Sequence, residues 1–394
     1  MKVSKFHFLL TCAALGAASL GANVLAATCP GGTKYETVDY FKPAKADYAK
    51  YIDQGGYHLS LCNAAHATPG PNATCHSIDL KAYLYLPATA AHGAHLPLVL
   101  WVDGSWANPA NSALPNPQDY PTACSVGSWF AKRGYVVLAI VRRGYKPSTG
   151  ENEVVREANS TADFLTQHQD VITYLANESF ETQVAVQYMS KRKAADGMRL
   201  LIDPKKIGYV GHSLGGIAGL FFGTTGNKPP IIDAGVPSGL TKVKAKVLIA
   251  PASQSWDSFD LEDGQYDDTS LSIERLKTAA QHSLLPTYFL EPLNDQSYRP
   301  AALLGKAAAD FQLTENQSCR MAIAPLGGGV PSDAQIRQMV DTCPLAREFQ
   351  TALFPIVDIS GDPTATSGHG AYAISPTIWG PSVQEFLARH RVAP

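Results

Sequence analysis

The chain has 394 residues, 45% hydrophobic and 17% charged, with 32 Gly, 27 Pro and 7 Cys. That composition supplies a large apolar core and excludes a disordered chain, a collagen-like repeat and a coiled coil. Lys and Arg total 32 against 34 Asp and Glu, a formal charge of −2 with no long run of either sign, so the basic footprint that grips a phosphate backbone is missing and nucleic acid is not an expected partner.

Lys2 and Lys5 precede an apolar stretch at 8–22, and Val24-Leu25-Ala26 then offers a cleavage site, the three-part pattern of a secretory signal peptide at 1–26. Gly16, Gly21 and Asn23 interrupt a run already shorter than the roughly 20 apolar residues a spanning helix needs, so stable membrane insertion is not expected. The expected mature chain, 27–394, is a single domain destined for the periplasm or the exterior. It retains 30 Lys and Arg against 34 acids and loses Cys12, leaving cysteines 29, 62, 75, 124, 319 and 343. An even count in an exported chain implies disulfides. Cys62/Cys75 and Cys319/Cys343 each close a short loop rich in Pro, Gly and Asn, which leaves Cys29/Cys124 as the remaining pair. No C-x-x-C and no histidine at ligand spacing accompanies them, so no metal is implied.

Residues 28–95 form an N-terminal extension of turn formers with two strand-like stretches, 57–61 and 82–86. From residue 96 the pattern becomes regular. Continuous apolar runs of strand length recur at 98–102, 135–141, 207–210, 247–250, 287–290 and 355–359, as suits strands buried on both faces of a parallel sheet. Helical spacing fills the intervals at 126–133, 163–195, 214–223, 270–282 and 381–390. The alternation predicts an α/β fold, a mostly parallel central sheet flanked by helices on both faces. Two segments exceed ordinary connections: the Pro/Asn-rich loop 104–125, and 296–353, an insertion holding Cys319 and Cys343. Either serves as a binding wall or lid, or as a surface elaboration. Lys242, Lys244 and Lys246 alternate into a strand and Lys191-Arg192-Lys193 lie on a helix, and both sets read as solvated faces.

The sharpest local feature is Gly211-His212-Ser213-Leu214-Gly215-Gly216, a G-x-S-x-G pentapeptide between a strand candidate and a helix candidate. That is the setting of a nucleophile elbow, where the turn is too tight for a Cβ on either flanking glycine. A serine alone is a weak nucleophile and needs a base with an orienting acid. In hydrolases of this construction the acid and then the histidine follow the serine along the chain. Of the three later histidines, His282 and His390 sit in helical contexts, whereas His369 lies between Gly368 and Gly370 in a loop past the last expected strand. Asp295 follows the 287–290 strand in a turn-forming Asn-Asp pair and is the expected acid, with Asp257 or Asp260 as rivals. The N–H of Leu214 at the helix start and one from Ser105, in the loop after 98–102, would form the oxyanion hole, with Trp106 as a pocket wall. Arg142-Arg143 closes the second regular strand and reads more readily as a structural ion pair than as a substrate anchor. No P-loop, dinucleotide fingerprint or H-E-x-x-H occurs, so no cofactor is implied.

With these residues the chain resembles the α/β-hydrolase superfamily, and within it the dienelactone hydrolase-like branch related to prolyl-oligopeptidase catalytic domains. The matching positions are Tyr135-Val136-Val137-Leu138 leading to Arg142-Arg143-Gly144-Tyr145, Asp203-Pro204, the Gly211–Gly216 elbow, Asn294-Asp295, Gly368-His369-Gly370 and Trp379-Gly380-Pro381. The resemblance covers about residues 80–391 and implies Ser213 as nucleophile, Asp295 as acid and His369 as base. The dienelactone hydrolases proper carry cysteine where this chain carries Ser213. The expectation is an exported serine hydrolase of carboxylic esters, small or polymeric, working without a cofactor. The rivals are a peptidase or acyltransferase on the same triad and a hydrolase-shaped binding protein.

Overall fold

The structure, a computed structural model, describes residues 27–29, 31–42, 79–91, 95–104, 121–142, 147–149, 181–221, 243–249, 285–292, 349–354 and 376–394. Among these, nine strands build one sheet: β1 (Ala27–Thr28), β2 (Lys34–Phe41), β3 (Leu80–Tyr85), β4 (Leu96–Val102), β5 (Val136–Ile140), β6 (Ile202–His212), β7 (Val243–Ile249), β8 (Thr287–Pro292) and β9 (Phe349–Phe354). Their spatial order is β1-β2-β3-β5-β4-β6-β7-β8-β9. From β5 to β9 all neighbours are parallel, while β1, β2 and β3 pair antiparallel at one edge.

The apolar runs explain the centre of this sheet. Leu98 to Val102 of β4 and Val136 to Leu138 of β5 are almost wholly buried, and a strand covered on both faces carries no alternation. On one face lie α1 (Pro121–Ala131) and α3 (Pro376–Arg389), whose Phe130, Trp129, Trp379 and Phe386 pack on Trp101, Val210, Val247 and Tyr288. Trp101 and Trp379 stack with ring centroids 6.2 Å apart. The opposite face takes α2 (Leu214–Phe221), which sits on Tyr209 and Leu248. Helices on both faces of a mostly parallel sheet make this an α/β fold, as the sequence pattern predicts.

Several boundaries differ from expectation. The sequence pattern does not single out β2, because Lys34-Tyr35-Glu36-Thr37-Val38-Asp39-Tyr40-Phe41 interleaves charged residues with its apolar face, the pattern of an antiparallel strand with one half-solvated side. α3 begins five residues before the expected 381. Pro376 opens it, and Gly380 lets it press against Trp129, where a Cβ would lie 2.5 Å from the indole. Residues 349–353, expected to end the insertion, belong to β9 and pair with β8. The expected elements at 57–61, 163–180, 270–282 and 355–359 lie outside the described residues, as does the rest of the 296–353 segment; residues 181–191 are helical.

Lys246 corrects the expectation of a solvated lysine face. It is fully buried in β7, on the side of the sheet that α2 covers, and its Nζ donates to the Gly219 carbonyl of α2 at 2.9 Å. Desolvation pulls the ammonium down to about 7. Alternating lysines look solvated in one dimension, but in a parallel sheet that face belongs to the next helix. Cys29 and Cys124 form a disulfide tying the start of the sheet to α1, the pairing reached above by remainder. The other four cysteines lie outside the described residues.

Candidate active site

The chain runs from β4 through α1 to β5 on one side and returns to β6 on the other, so the strand order reverses between β4 and β6. Ligands of open α/β sheets bind at such a switch point, beyond the carboxyl ends of the strands. β4 leads there into Asp103 and Gly104, and β6 ends there in His212 and leads into Ser213. The parallel pairing of Val102 with Gly211 brings the two ends level.

Ser213 is the sharp point of the arrangement. It is 4% exposed and has φ of +54°, between the last residue of β6 and the first of α2. A non-glycine residue in the left-handed region costs about 1–2 kcal/mol, and such strain persists only where surrounding structure enforces it. The enforcement is visible in the neighbours. The Ser213 N–H donates to the Ile249 carbonyl of β7 at 2.9 Å, which anchors the turn to a third strand. A Cβ on Gly211 would lie 2.3 Å from the Gly215 carbonyl oxygen, and one on Gly215 would lie 2.1 Å from the Val102 carbonyl oxygen. Only bare backbone lets α2 start this close to the strand ends.

Tyr209 completes the support, and the sequence reading did not single it out. Its ring runs under α2, 2.8 Å and 2.6 Å from where Cβ atoms on Gly211 and Gly219 would stand, and its hydroxyl donates to the Gly215 carbonyl at 2.5 Å. The glycines therefore make room for a ring as well as a tight turn. A tyrosine two residues ahead of the first elbow glycine was the available signal.

Gly104 faces Ser213 from β4. A Cβ there would come within 2.6 Å of Ser213 Cβ and 3.1 Å of both Ser213 Oγ and His212 Nδ1. Its N–H is already engaged, donating to Asp103 Oδ1 at 2.8 Å. The same oxygen stands 3.4 Å from His212 Nδ1, and the Asp103 backbone carbonyl accepts a hydrogen bond from the Arg142 guanidinium. Arg142 is thus buried against a carbonyl rather than solvated. The nearby Tyr85 phenol is pushed well above its usual range, first by burial and then by the charges of its neighbours, Asp103 among them.

Of the site residues expected from sequence, the structure describes Ser213 and the backbone of Leu214, the first residue of α2, whose N–H precedes any intrahelical acceptor. Asp295, His369, Ser105 and Trp106 lie outside the described residues. Among the described residues no group of three His, Cys, Asp or Glu side chains could hold a metal ion. A separate cleft of about 1050 Å³ opens at the other end of the sheet, lined by Lys34, Pro87, Lys132, Arg192 and Leu201. It borders the amino ends of the parallel strands, away from Ser213.

No family model matches the chain, and no curated protein does. Among solved structures it is similar to a thermophilic esterase, Est2, from the Planctomycetes species Thermogutta terrifontis in a propionate-bound form, at 14% identity and a TM-score of 0.41 over 80% of this chain and 91% of that one. The same esterase phosphonylated by sarin matches at 14% identity and a TM-score of 0.41, covering 84% and 99% of the two chains. Est1E from Butyrivibrio proteoclasticus matches at 12% and 0.38, covering 80% and 97%. At that level of likeness the reading of the site rests on its own geometry.

Proposed function

We propose that this chain is an exported serine hydrolase of α/β-hydrolase type that cleaves carboxylic esters through an acyl-enzyme. The observation that carries the reading is Ser213, held at φ +54° on a strand-to-helix turn at the switch point of the sheet, with the backbone of Gly104 against its side chain. A serine kept in strained backbone at the start of a helix serves chemistry better than stability.

In this reading Ser213 Oγ attacks the ester carbonyl carbon while His369 takes its proton, and Asp295 holds the imidazole in the tautomer that can do so. The tetrahedral oxyanion sits at the start of α2, where the Leu214 N–H and the positive end of the helix dipole face it. Collapse expels the alcohol, which leaves with the proton from His369. Water then enters by the same route and releases the acid. Export is supported by the 1–26 pattern and by the Cys29–Cys124 disulfide, which persists in an oxidising compartment. The dienelactone hydrolase-like branch is the proposed subgroup, with a serine in place of that group's cysteine.

The test is turnover of p-nitrophenyl esters from acetate to long acyl chains, beside p-nitroanilide amides, by the mature protein and by Ser213→Ala. Ester turnover lost in the variant, with a fluorophosphonate adduct on the wild-type Ser213 peptide, is the expected result. Turnover retained by Ser213→Ala refutes the assignment. Amide turnover exceeding ester turnover moves the reading to a peptidase.

A further inference from the structure

The cleft at the amino end of the sheet stands apart from Ser213 and has a lining of nearly one charge sign. The turn before β2, the segment after β3, the end of α1 and the segment 192–201 meet around it. Its floor is aliphatic and buried, with Pro87, Ala90, Ala131, Ala194 and Leu201. Its charged residues are Lys34, Lys132, Arg192 and Lys193 against Glu36 alone, in a chain whose formal charge is −2. Overall composition therefore does not account for the excess of cations here.

Helix carboxyl ends attract cations, and both α1 and the helix at 181–191 end beside the cleft. Arg133 serves the end of α1 in that way: its guanidinium donates to the Trp129 carbonyl at 3.0 Å and lies 3.7 Å from the indole centroid. Lys132 turns elsewhere, with Nζ 3.2 Å from where a Cβ on Gly31 would stand. Lys34 opens a strand and has no helix end to serve. Glu36 is committed to Arg192, whose guanidinium also donates to the Tyr188 hydroxyl at 2.5 Å. Lys193 donates to the Met198 carbonyl at 3.1 Å. Among the described residues, Lys34, Lys132 and Lys193 thus have no carboxylate partner. Like charges gathered from separate segments repel one another, and a bound anion offsets that repulsion.

No aromatic ring lines the cleft, so a base or a sugar finds no face to stack on. Its volume, about 1050 Å³, and its concave shape suit a small molecule better than a flat lipid surface. We propose that this cleft is a second binding site, separate from Ser213, that takes an aliphatic dicarboxylate: the chain lies on Pro87, Ala90 and Leu201, and the carboxylates meet Lys34, Lys132 and Lys193. Arg192, held by Glu36 and Tyr188, is the fixed wall between them. The site lies at the opposite strand ends from Ser213, so it does not rest on the ester-hydrolase reading.

The test is titration calorimetry of the mature protein with decanedioate at low ionic strength, beside decanediol, which lacks the charges, and succinate, which lacks the chain. Decanedioate is expected to bind one to one, and each control at least about tenfold more weakly. An exposed ion pair contributes up to about fivefold in affinity, so Lys34→Gln with Lys132→Gln should raise Kd about tenfold or more. Both lysines are exposed, and Lys205→Gln, exposed outside the cleft, should leave Kd within about twofold. Thr89→Trp fills the cleft from its exposed rim and should abolish binding, which keeps the test decisive if the lysine variant folds poorly. Ser213→Ala should bind as wild type does. Several results overturn the proposal: no saturable binding below about 10 mM, equal affinity for decanediol, or affinity unchanged in the folded lysine variant or in Thr89→Trp. Loss of binding in Ser213→Ala overturns it by placing the ligand at the other end of the sheet. Binding to phosphatidylglycerol vesicles without binding to decanedioate overturns it in favour of a membrane surface.

Discussion

Gly215→Ala tests whether backbone contact sets the position of Ser213, the proposed nucleophile. The added methyl would stand 2.1 Å from the Val102 carbonyl oxygen, 2.7 Å from its carbon and 3.0 Å from the Asp103 carbonyl oxygen. Ordinary contact begins near 3.4 Å, so the shortfall is about 1.3 Å. Val102 cannot retreat, since β4 lies inside the sheet between β5 and β6. The first turn of α2 must therefore lift, and Ser213 rises with it. Overpacking of this kind costs about 1–3 kcal/mol, partly offset by about 1 kcal/mol from placing alanine instead of glycine in a helix. The stability loss is then small, a few degrees of melting temperature. A displacement of about 1 Å at a reacting atom costs about 100-fold in rate. Expected is a folded protein with kcat/KM for a p-nitrophenyl ester down about 100-fold. Gly208→Ala is the control: its methyl meets side-chain atoms, Leu387 Cδ2 at 2.8 Å and Val392 Cγ1 at 3.3 Å, rather than the backbone beside Ser213, so it costs stability in the core while activity should stay near wild type. Gly215→Ala retaining kcat/KM within about threefold refutes the argument, as does equal damage from Gly208→Ala.

Lys246 predicts a pH dependence of stability. Its folded pKa, about 7, lies below the unfolded 10.5, so between these values the unfolded chain holds a proton that the folded chain has shed. Raising the pH through that window favours the fold by up to about 1.4 kcal/mol per unit, and below pH 7 the contribution is flat. Urea melts of Lys246→Met from pH 6 to 10 should lack this rise, and a rise identical to wild type refutes the assignment. At Ser213, glycine relieves the left-handed strain and alanine does not, so Ser213→Gly should be more stable than Ser213→Ala by up to about 1 kcal/mol with both inactive. Equal denaturation midpoints would show that the turn carries no strain. Replacing Cys29 and Cys124 together by alanine opens a link 95 residues apart in sequence, worth about 4–5 kcal/mol on chain-entropy grounds, and should lower the urea midpoint accordingly. An unchanged midpoint would mean that the bridge does not constrain the unfolded chain.

The elbow was legible because its causes are local. Glycine spacing around Ser213, a preceding apolar run and a following helical pattern are features of adjacent residues, and the turn geometry follows from the absence of Cβ atoms within those few positions. The central parallel strands were legible for a similar reason, since burial on both faces leaves continuous apolar runs. β2 escaped notice because one of its sides is half-solvated, and Lys246 was misread because its burial depends on a helix laid over it. Asp103 and Tyr209 stand outside the motif residues that drew attention, and Arg142 was visible only as a strand-end arginine without its partner. Their roles come from strand ends brought level by sheet register, across 39 residues of chain between Asp103 and Arg142.

The sequence by itself thus determined the alternating architecture and the tight strand-to-helix turn at Ser213, both set by residue type and order, whereas the pairing of Cys29 with Cys124, reached only by remainder, is fixed by the structure. The tertiary structure alone decided which polar groups became internal and where they point. Hydrogen-bond partners and desolvation depend on what arrives from distant segments, and a one-dimensional pattern does not encode which face of a strand meets a helix and which meets water.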